Sequence, residues 1–228
     1  MGAVVRPKLL TEIVLDHLRE RIVSGVYALG SALSERQLAE ELQVSKTPIR
    51  ESLVQLKTEG LVTIVPQKGA YVFTLSAREV AQICEFRMAI EGAALKLALQ
   101  RDRKGLANGI GRIVDEMRIA HGNNRIKNYL ALDTEFHATF FQHCGNDYLM
   151  QSYDRYGGKI AALRTHLSYK PMHTMLSLAE HIAFCELFID GAETEIIKVL
   201  EAHIGRTRDA YSASIEDIAE ADALKSAG

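Results

Sequence analysis

The sequence predicts a mainly α fold in two parts: a small helical head with a β-hairpin over residues 1–75, then an all-α antiparallel helical bundle over residues 76–228. Three observations predict it. Apolar residues recur at three- and four-residue spacing through most of the chain. The only β-rich runs, residues 61–65 and 70–73, flank a Pro66-Gln67-Lys68-Gly69 turn. Beyond Ser76 no strand pattern returns, and helix breakers come only at wide intervals.

In the head, Leu10, Val14, Leu18 and Ile22, with Ile13 beside them, mark the first helix, and Ser24-Gly25 ends it. Ser34-Glu35-Arg36-Gln37 has the form of a capping box, so a second helix starts there on Leu38, Ala39 and Leu42. Gln43-Val44 makes a tight connection, and Ser45 is a good N-cap for a third helix. Pro48 is tolerated in its first turn, where a backbone N–H has no intrahelical partner. Ile49, Leu53 and Leu56 form one stripe, and Gly60 stops the helix. Three helices followed by a hairpin describe a winged helix-turn-helix.

The bundle reads as helices near 77–101, 104–121, 125–143, 146–169, 172–190 and 193–214. Breakers lie at Gly122-Asn123-Asn124, Gly145-Asn146, Pro171 and Gly191, and the tail from Glu216 is expected to fray. Short loops imply antiparallel neighbours.

Composition bounds the function. The chain has 228 residues, 47% hydrophobic and 25% charged, which excludes a disordered or low-complexity protein. No apolar stretch approaches the roughly 18–20 residues needed to span a bilayer, and the first residues lack a secretory apolar region. Cys84, Cys144 and Cys185 are odd in number and far apart, so they read as buried thiols in a reducing compartment. A cytoplasmic location without a membrane partner follows as the expectation. The net charge is −2, and the first 75 residues hold nine basic and eight acidic side chains. Any nucleic-acid contact must therefore rest on a few placed cations.

Such cations exist. Lys46, Thr47 and Arg50 lie on the third helix opposite the Ile49/Leu53/Leu56 stripe, at the end where a recognition helix meets base edges. Arg36 on the second helix, and Lys68 and Gly69 at the wing tip, flank them.

Of eight histidines, His17, His121, His143, His166 and His173 have no partner at ligand spacing. Asp133 and His137 differ: four residues apart in a helix, they share a face, with roughly 6 Å between Cβ atoms. His181 is 10 residues before Gly191 and His203 is 12 after it. An antiparallel pair puts both roughly 15–18 Å from the turn. Three imidazoles and one carboxylate suit zinc, nickel, manganese or iron, and not calcium. The competing reading of the same spacing is an exposed Asp/His pair plus two core histidines. Glu180, about 100° round the helix from His181, is expected to point elsewhere.

The segment ELQVSKTPIRESLVQLKTEGLVTIVPQKGAYV resembles the DNA-binding domain of GntR-superfamily transcription regulators. By that resemblance Arg36, Ser45, Lys46, Thr47, Arg50 and Gly69 fall on positions that contact a double-stranded DNA operator. Lys46 stands where the family usually has Arg; it keeps the charge and gives up the bidentate fork. Residues 77–214 resemble the FCD-type effector domain of the FadR branch, with six helices as in the VanR-like subgroup. In that branch an Asp-x-x-x-His pair and two later histidines commonly bind a divalent metal ion, which Asp133-Thr134-Glu135-Phe136-His137, His181 and His203 match in order. Arg87-x-x-x-Glu91 matches a further signature, whose Arg often holds an effector carboxylate. The competing role for Arg87 is an intrahelical salt bridge to Glu91. Arg164 is a second candidate for the carboxylate.

The resemblance implies a metal-dependent, ligand-responsive regulator that binds a near-palindromic operator as a homodimer, and not an enzyme. Two readings compete with it: a regulator whose metal is purely structural, and a metal-dependent hydrolase. The second lacks a general base, and no His-Glu-x-x-His run exists.

Overall fold

The computed structural model describes residues 8–167 and 171–226, which form two compact units, one ending at Thr74 and the other beginning at Leu75. In the first, α1 (Leu10–Val23) packs on α3 (Lys46–Thr58), with α2 (Glu35–Glu41) beside α3. Val14, Leu18 and Ile22 meet Ile49, Leu53, Leu56 and Leu61 in its core. Leu10 and Ile13 are half exposed, because the face of α1 turned to the core is that of Val14, Leu18 and Ile22. The Thr11 carbonyl ties α1 to α3 by accepting from Ser52 Oγ at 3.1 Å.

The wing has three strands rather than the expected two. β2 (Val62–Val65) and β3 (Gly69–Val72) form the hairpin, and β1 (Ala32–Leu33) pairs with the free edge of β3 through Ala32–Tyr71 and Leu33–Ala70. Two residues are too few to show a period, so β1 escaped the pattern. Gly69 at the wing tip has φ 111°, a conformation that favours glycine. Ser34 caps α2 by accepting from the Gln37 amide at 3.4 Å. Ser45 occupies the N-cap position of α3 without a side-chain capping bond.

The second unit is all helical: α4 (Ala77–Gly122), α5 (Ile126–His143), α6 (Asp147–Leu167), α7 (Pro171–Asp190) and α8 (Glu193–Ser226). Residues 168 and 169 of the expected 146–169 helix lie outside the described residues. α4 is two helices joined at a kink, where Asp102 leaves helical geometry at φ −148°, ψ 53°. The Asp102 carboxylate explains it. It caps the second segment by accepting from the Gly105 amide at 3.0 Å, and it also takes a bond from His143 Nδ1 at 2.6 Å. A Cβ on Gly105 would meet that carboxylate at 2.2 Å, so any larger residue would push the cap out of place.

Arg101 and Arg103 fasten the kink to its neighbours. Arg101 donates to the Cys144 and Gly145 carbonyls, and Arg103 to those of Phe188 and Gly191. α8 does not fray at Glu216 but continues to Ser226, since residues 216–226 hold no Gly or Pro and are rich in Ala, Glu and Leu, good helix formers. Cys84 and Cys144 are buried and Cys185 half-buried, all as free thiols. Among the described residues no helix is long and apolar enough to cross a membrane.

Candidate functional site

Four helical stripes converge inside the bundle. Arg87 and Glu91 lie one turn apart on α4; Tyr129, Asp133 and His137 follow at four-residue steps on α5. His181 comes from α7, and His203, Thr207 and Tyr211 come from α8. Arg164 of α6 closes the set. Phe136 lies beneath, its ring centroid 4.2 Å from that of His181, and Phe140 and Phe184 extend an aromatic floor. These residues are almost fully enclosed: Arg87, Glu91 and His137 are 0% exposed, His181 and Arg164 2%, His203 5% and Asp133 6%.

His137, His181 and His203 bring one nitrogen each within 4.8 Å of one another. Two of the rings are oriented by carboxylates. His137 Nδ1 donates to Glu91 Oε2 at 2.7 Å, and His203 Nδ1 donates to Glu180 Oε2 at 2.7 Å. In the neutral ring that bond puts the proton on Nδ1 and leaves the lone pair on Nε2, the form in which imidazole ligates a metal. His181 has no hydrogen-bond partner on either nitrogen, although both are buried. A buried unsatisfied group costs about 1–3 kcal/mol, so an imidazole held this way points to a ligand.

Asp133 stands beside the triad: its Oδ1 is 3.6 Å from His181 Nε2, while Oδ2 is paired with Arg164 Nε at 2.8 Å. Burial acts to raise the Asp133 pKa, but Arg164 and the histidines outweigh it and hold the group well below the usual carboxylate range. Glu91 is held down likewise, against burial, by Arg87 and His137. Burial pushes His137 down to about 3, and His181 falls well below its ordinary value, through burial first and the His203 ring next. His137 and His181 are thus neutral imidazoles beside an ionised Asp133, and imidazole with carboxylate fits a borderline divalent ion.

Arg87 does form the intrahelical pair with Glu91, at 2.7 Å through Nε, and its Nη2 lies 3.4 Å from His137 Nε2. Its Nη1, and both terminal nitrogens of Arg164, are buried without a partner. These donors face a cavity of about 10 Å³, room for about one water. Asp133, His203 and His173 also line it, with the hydroxyl-bearing Tyr129, Ser177 and Thr207.

Sequence reasoning missed two participants. Glu180 does not point away from the site, because α8 crosses α7 so that His203 and Arg206 meet it. His173 is no isolated histidine: it lines the cavity, and its Nδ1 is 3.2 Å from Arg206 Nη1. Both contacts lie between α7 and α8, where sequence spacing carries no signal.

In the first unit, Lys46, Thr47, Arg50, Arg36, Ser45, Lys68 and Gly69 are all exposed. Arg50 Nε pairs with Glu35 Oε2 at 2.6 Å, which pins α3 to α2, and Arg36 pairs with Glu40 at 3.0 Å. The Tyr71 hydroxyl donates to the Lys68 carbonyl at 3.2 Å and steadies the wing tip.

Residues 10–72 match the family described as bacterial regulatory proteins, gntR family, and residues 82–206 match the FCD domain. Over 210 residues, 90% of this chain and 84% of the relative, the protein is 24% identical to the gluconate operon transcriptional repressor of Bacillus subtilis. A GntR transcriptional regulator from Rhodococcus sp. RHA1 shares the fold with a TM-score of 0.79 at 16% identity, covering 88% of this chain and 96% of that one. A metal-free FCD domain aligns with a TM-score of 0.57 at 17% identity, covering 63% of this chain and 99% of that one.

Replacing Glu91 with Ala leaves the Arg87 guanidinium buried with no counter-ion, a loss of about 3–5 kcal/mol. Replacing Arg112, whose pairs with Glu116 and Glu135 are exposed to solvent, is expected to leave stability nearly unchanged. Urea unfolding of the two variants measures the contrast; equal losses would contradict a buried charge frame.

Proposed function

Since the chain belongs to the gntR family of bacterial regulatory proteins and carries an FCD domain, we propose that this DNA-binding transcriptional regulator is metal-dependent and answers to a small organic acid. The chain is not an enzyme: its family and relatives are transcriptional regulators. One observation carries the proposal. Three buried histidines stand within 4.8 Å of one another beside two buried arginines with unpartnered terminal nitrogens.

His137, His181 and His203, with Asp133, would hold the ion. Zinc suits the donors best, with nickel, manganese and iron next. When bound, the ion supplies positive charge and a coordination position for a carboxylate. With Nε2 of His137 ligated, the Arg87 Nη2–H would lose that acceptor and keep only its long contact to Glu91 Oε2 at 3.5 Å. Arg87 and Arg164 then offer charge-assisted hydrogen bonds to the acid. The small cavity favours a second reading, in which the metal is structural and no effector enters.

On the DNA side, Arg50, Lys46 and Thr47 read or grip a near-palindromic double-stranded operator, with Arg36, Ser45, Lys68 and Gly69 flanking. A homodimer working in the cytoplasm presents two such heads to two half-sites. Acid binding changes operator affinity only through a difference in its affinity for the two arrangements of the dimer.

Arg50→Ala is expected to lower specific operator affinity about tenfold or more, the worth of a good base contact. Folding should be unchanged, since the side chain is 64% exposed. Gel-shift titration at fixed salt reads this, and wild-type affinity in the variant would remove α3 as the reader.

A separate experiment tests the metal and the acid. Elemental analysis and calorimetric titration with small carboxylates compare wild type, His181→Ala and Arg87→Lys. His181→Ala should lose metal and acid binding together. Arg87→Lys should keep the metal and bind acid at least tenfold more weakly, because Lys lacks the planar fork. A full equivalent of metal in His181→Ala would sink the site, and acid binding that survives metal loss would leave only the structural reading.

A further inference from the structure

Glu180 sits on α7 beside a proposed ligand, yet its carboxylate belongs to α8. Its Oε2 accepts from His203 Nδ1 at 2.7 Å. Arg206, one turn beyond His203, grips the same carboxylate through Nε and, at 2.6 Å, through Nη2. The remaining Arg206 terminal nitrogen, Nη1, reaches His173 Nδ1 at 3.2 Å, and His173 lines the cavity. A chain of polar contacts therefore runs from the cavity wall through Arg206 and Glu180 to His203.

We propose that Glu180 and Arg206 are positioning residues for the metal centre, fixing His203 with its proton on Nδ1 and its Nε2 lone pair turned into the His137–His181–His203 cluster. This rests on the metal reading above. A carboxylate can only accept, so the ring nitrogen that faces it carries the hydrogen. The guanidinium fork holds Glu180 in place by two bonds, so the carboxylate is not free to swing toward solvent. Glu91 performs the same orientation for His137 but is fully buried, with Arg87 as its counter-ion. Glu180 and Arg206 perform it from a site about a quarter exposed, with side-chain exposures of 29% and 26%. Replacing them therefore leaves no fully buried charge unpaired, which makes this arm of the centre open to test without unfolding the bundle.

The test uses the full chain. Zn²⁺ affinity is measured by competition with a chelator for wild type, Glu180→Ala, Glu180→Gln and Arg206→Met. Imidazole nitrogen NMR on the metal-free proteins reads the His203 tautomer. Loss of an outer carboxylate typically weakens metal binding 10- to 100-fold, and that range is expected for Glu180→Ala. Glu180→Gln should lose less, because its amide oxygen still accepts; it also carries the test should the alanine variant misfold. Arg206→Met should weaken binding several-fold. His203 should be a single Nδ1–H tautomer in wild type and a mixture in Glu180→Ala. Zn²⁺ affinity within about threefold of wild type, or an unchanged tautomer, overturns the positioning role alone. A wild-type protein that takes up no Zn²⁺ overturns the metal reading itself.

Discussion

Two buried carboxylates must stay ionised, and the helical unit is arranged around that demand. Glu91 lies between Arg87 and His137, and Asp133 between Arg164 and His181. Each guanidinium or imidazole comes from a stated place on α4, α5, α6 or α7, so the helices are held in one register. Any slip of one turn would strand a charge at a cost of several kcal/mol. The apolar packing of Phe136, Phe140 and Phe184 excludes water and raises those stakes.

The same arithmetic would tie metal to acid. Two arginines and two carboxylates cancel, and burial keeps His137 and His181 neutral. A divalent ion would add two positive charges to a water-poor interior, where unpaired charge is expensive. An anion would offset part of that charge, and the unpartnered terminal nitrogens of Arg87 and Arg164 are the groups that would receive it. The two carboxylate-bound rings, His137 and His203, are fixed in advance. His181, bare on both nitrogens, is the ring whose orientation would depend most on a bound ion.

Much of this was legible in the sequence because it is periodic. The stripes of α1 and α3, the hairpin around Gly69, and the shared face of Asp133 and His137 all follow from spacing within one element. Counting from Gly191 even placed His181 and His203 together across a turn, with ring centroids 4.8 Å apart. Contacts set by how one helix crosses another were not legible. Glu180 was assigned away from the site because the helical wheel of α7 says nothing of α8. The Asp102 kink was marked only by a gap between two helical runs; its cap on Gly105 is local, but the His143 ring that shares the carboxylate lies 41 residues away. β1 was missed because two residues hold no pattern.

X-ray absorption at the zinc edge tests the central claim most directly, on full-length protein loaded with one equivalent of Zn²⁺. A nitrogen/oxygen shell at about 2.0–2.1 Å is expected, with the outer scattering of three imidazoles, reduced to two in His203→Ala. A sulfur shell, or an oxygen shell without imidazole scattering, would contradict it.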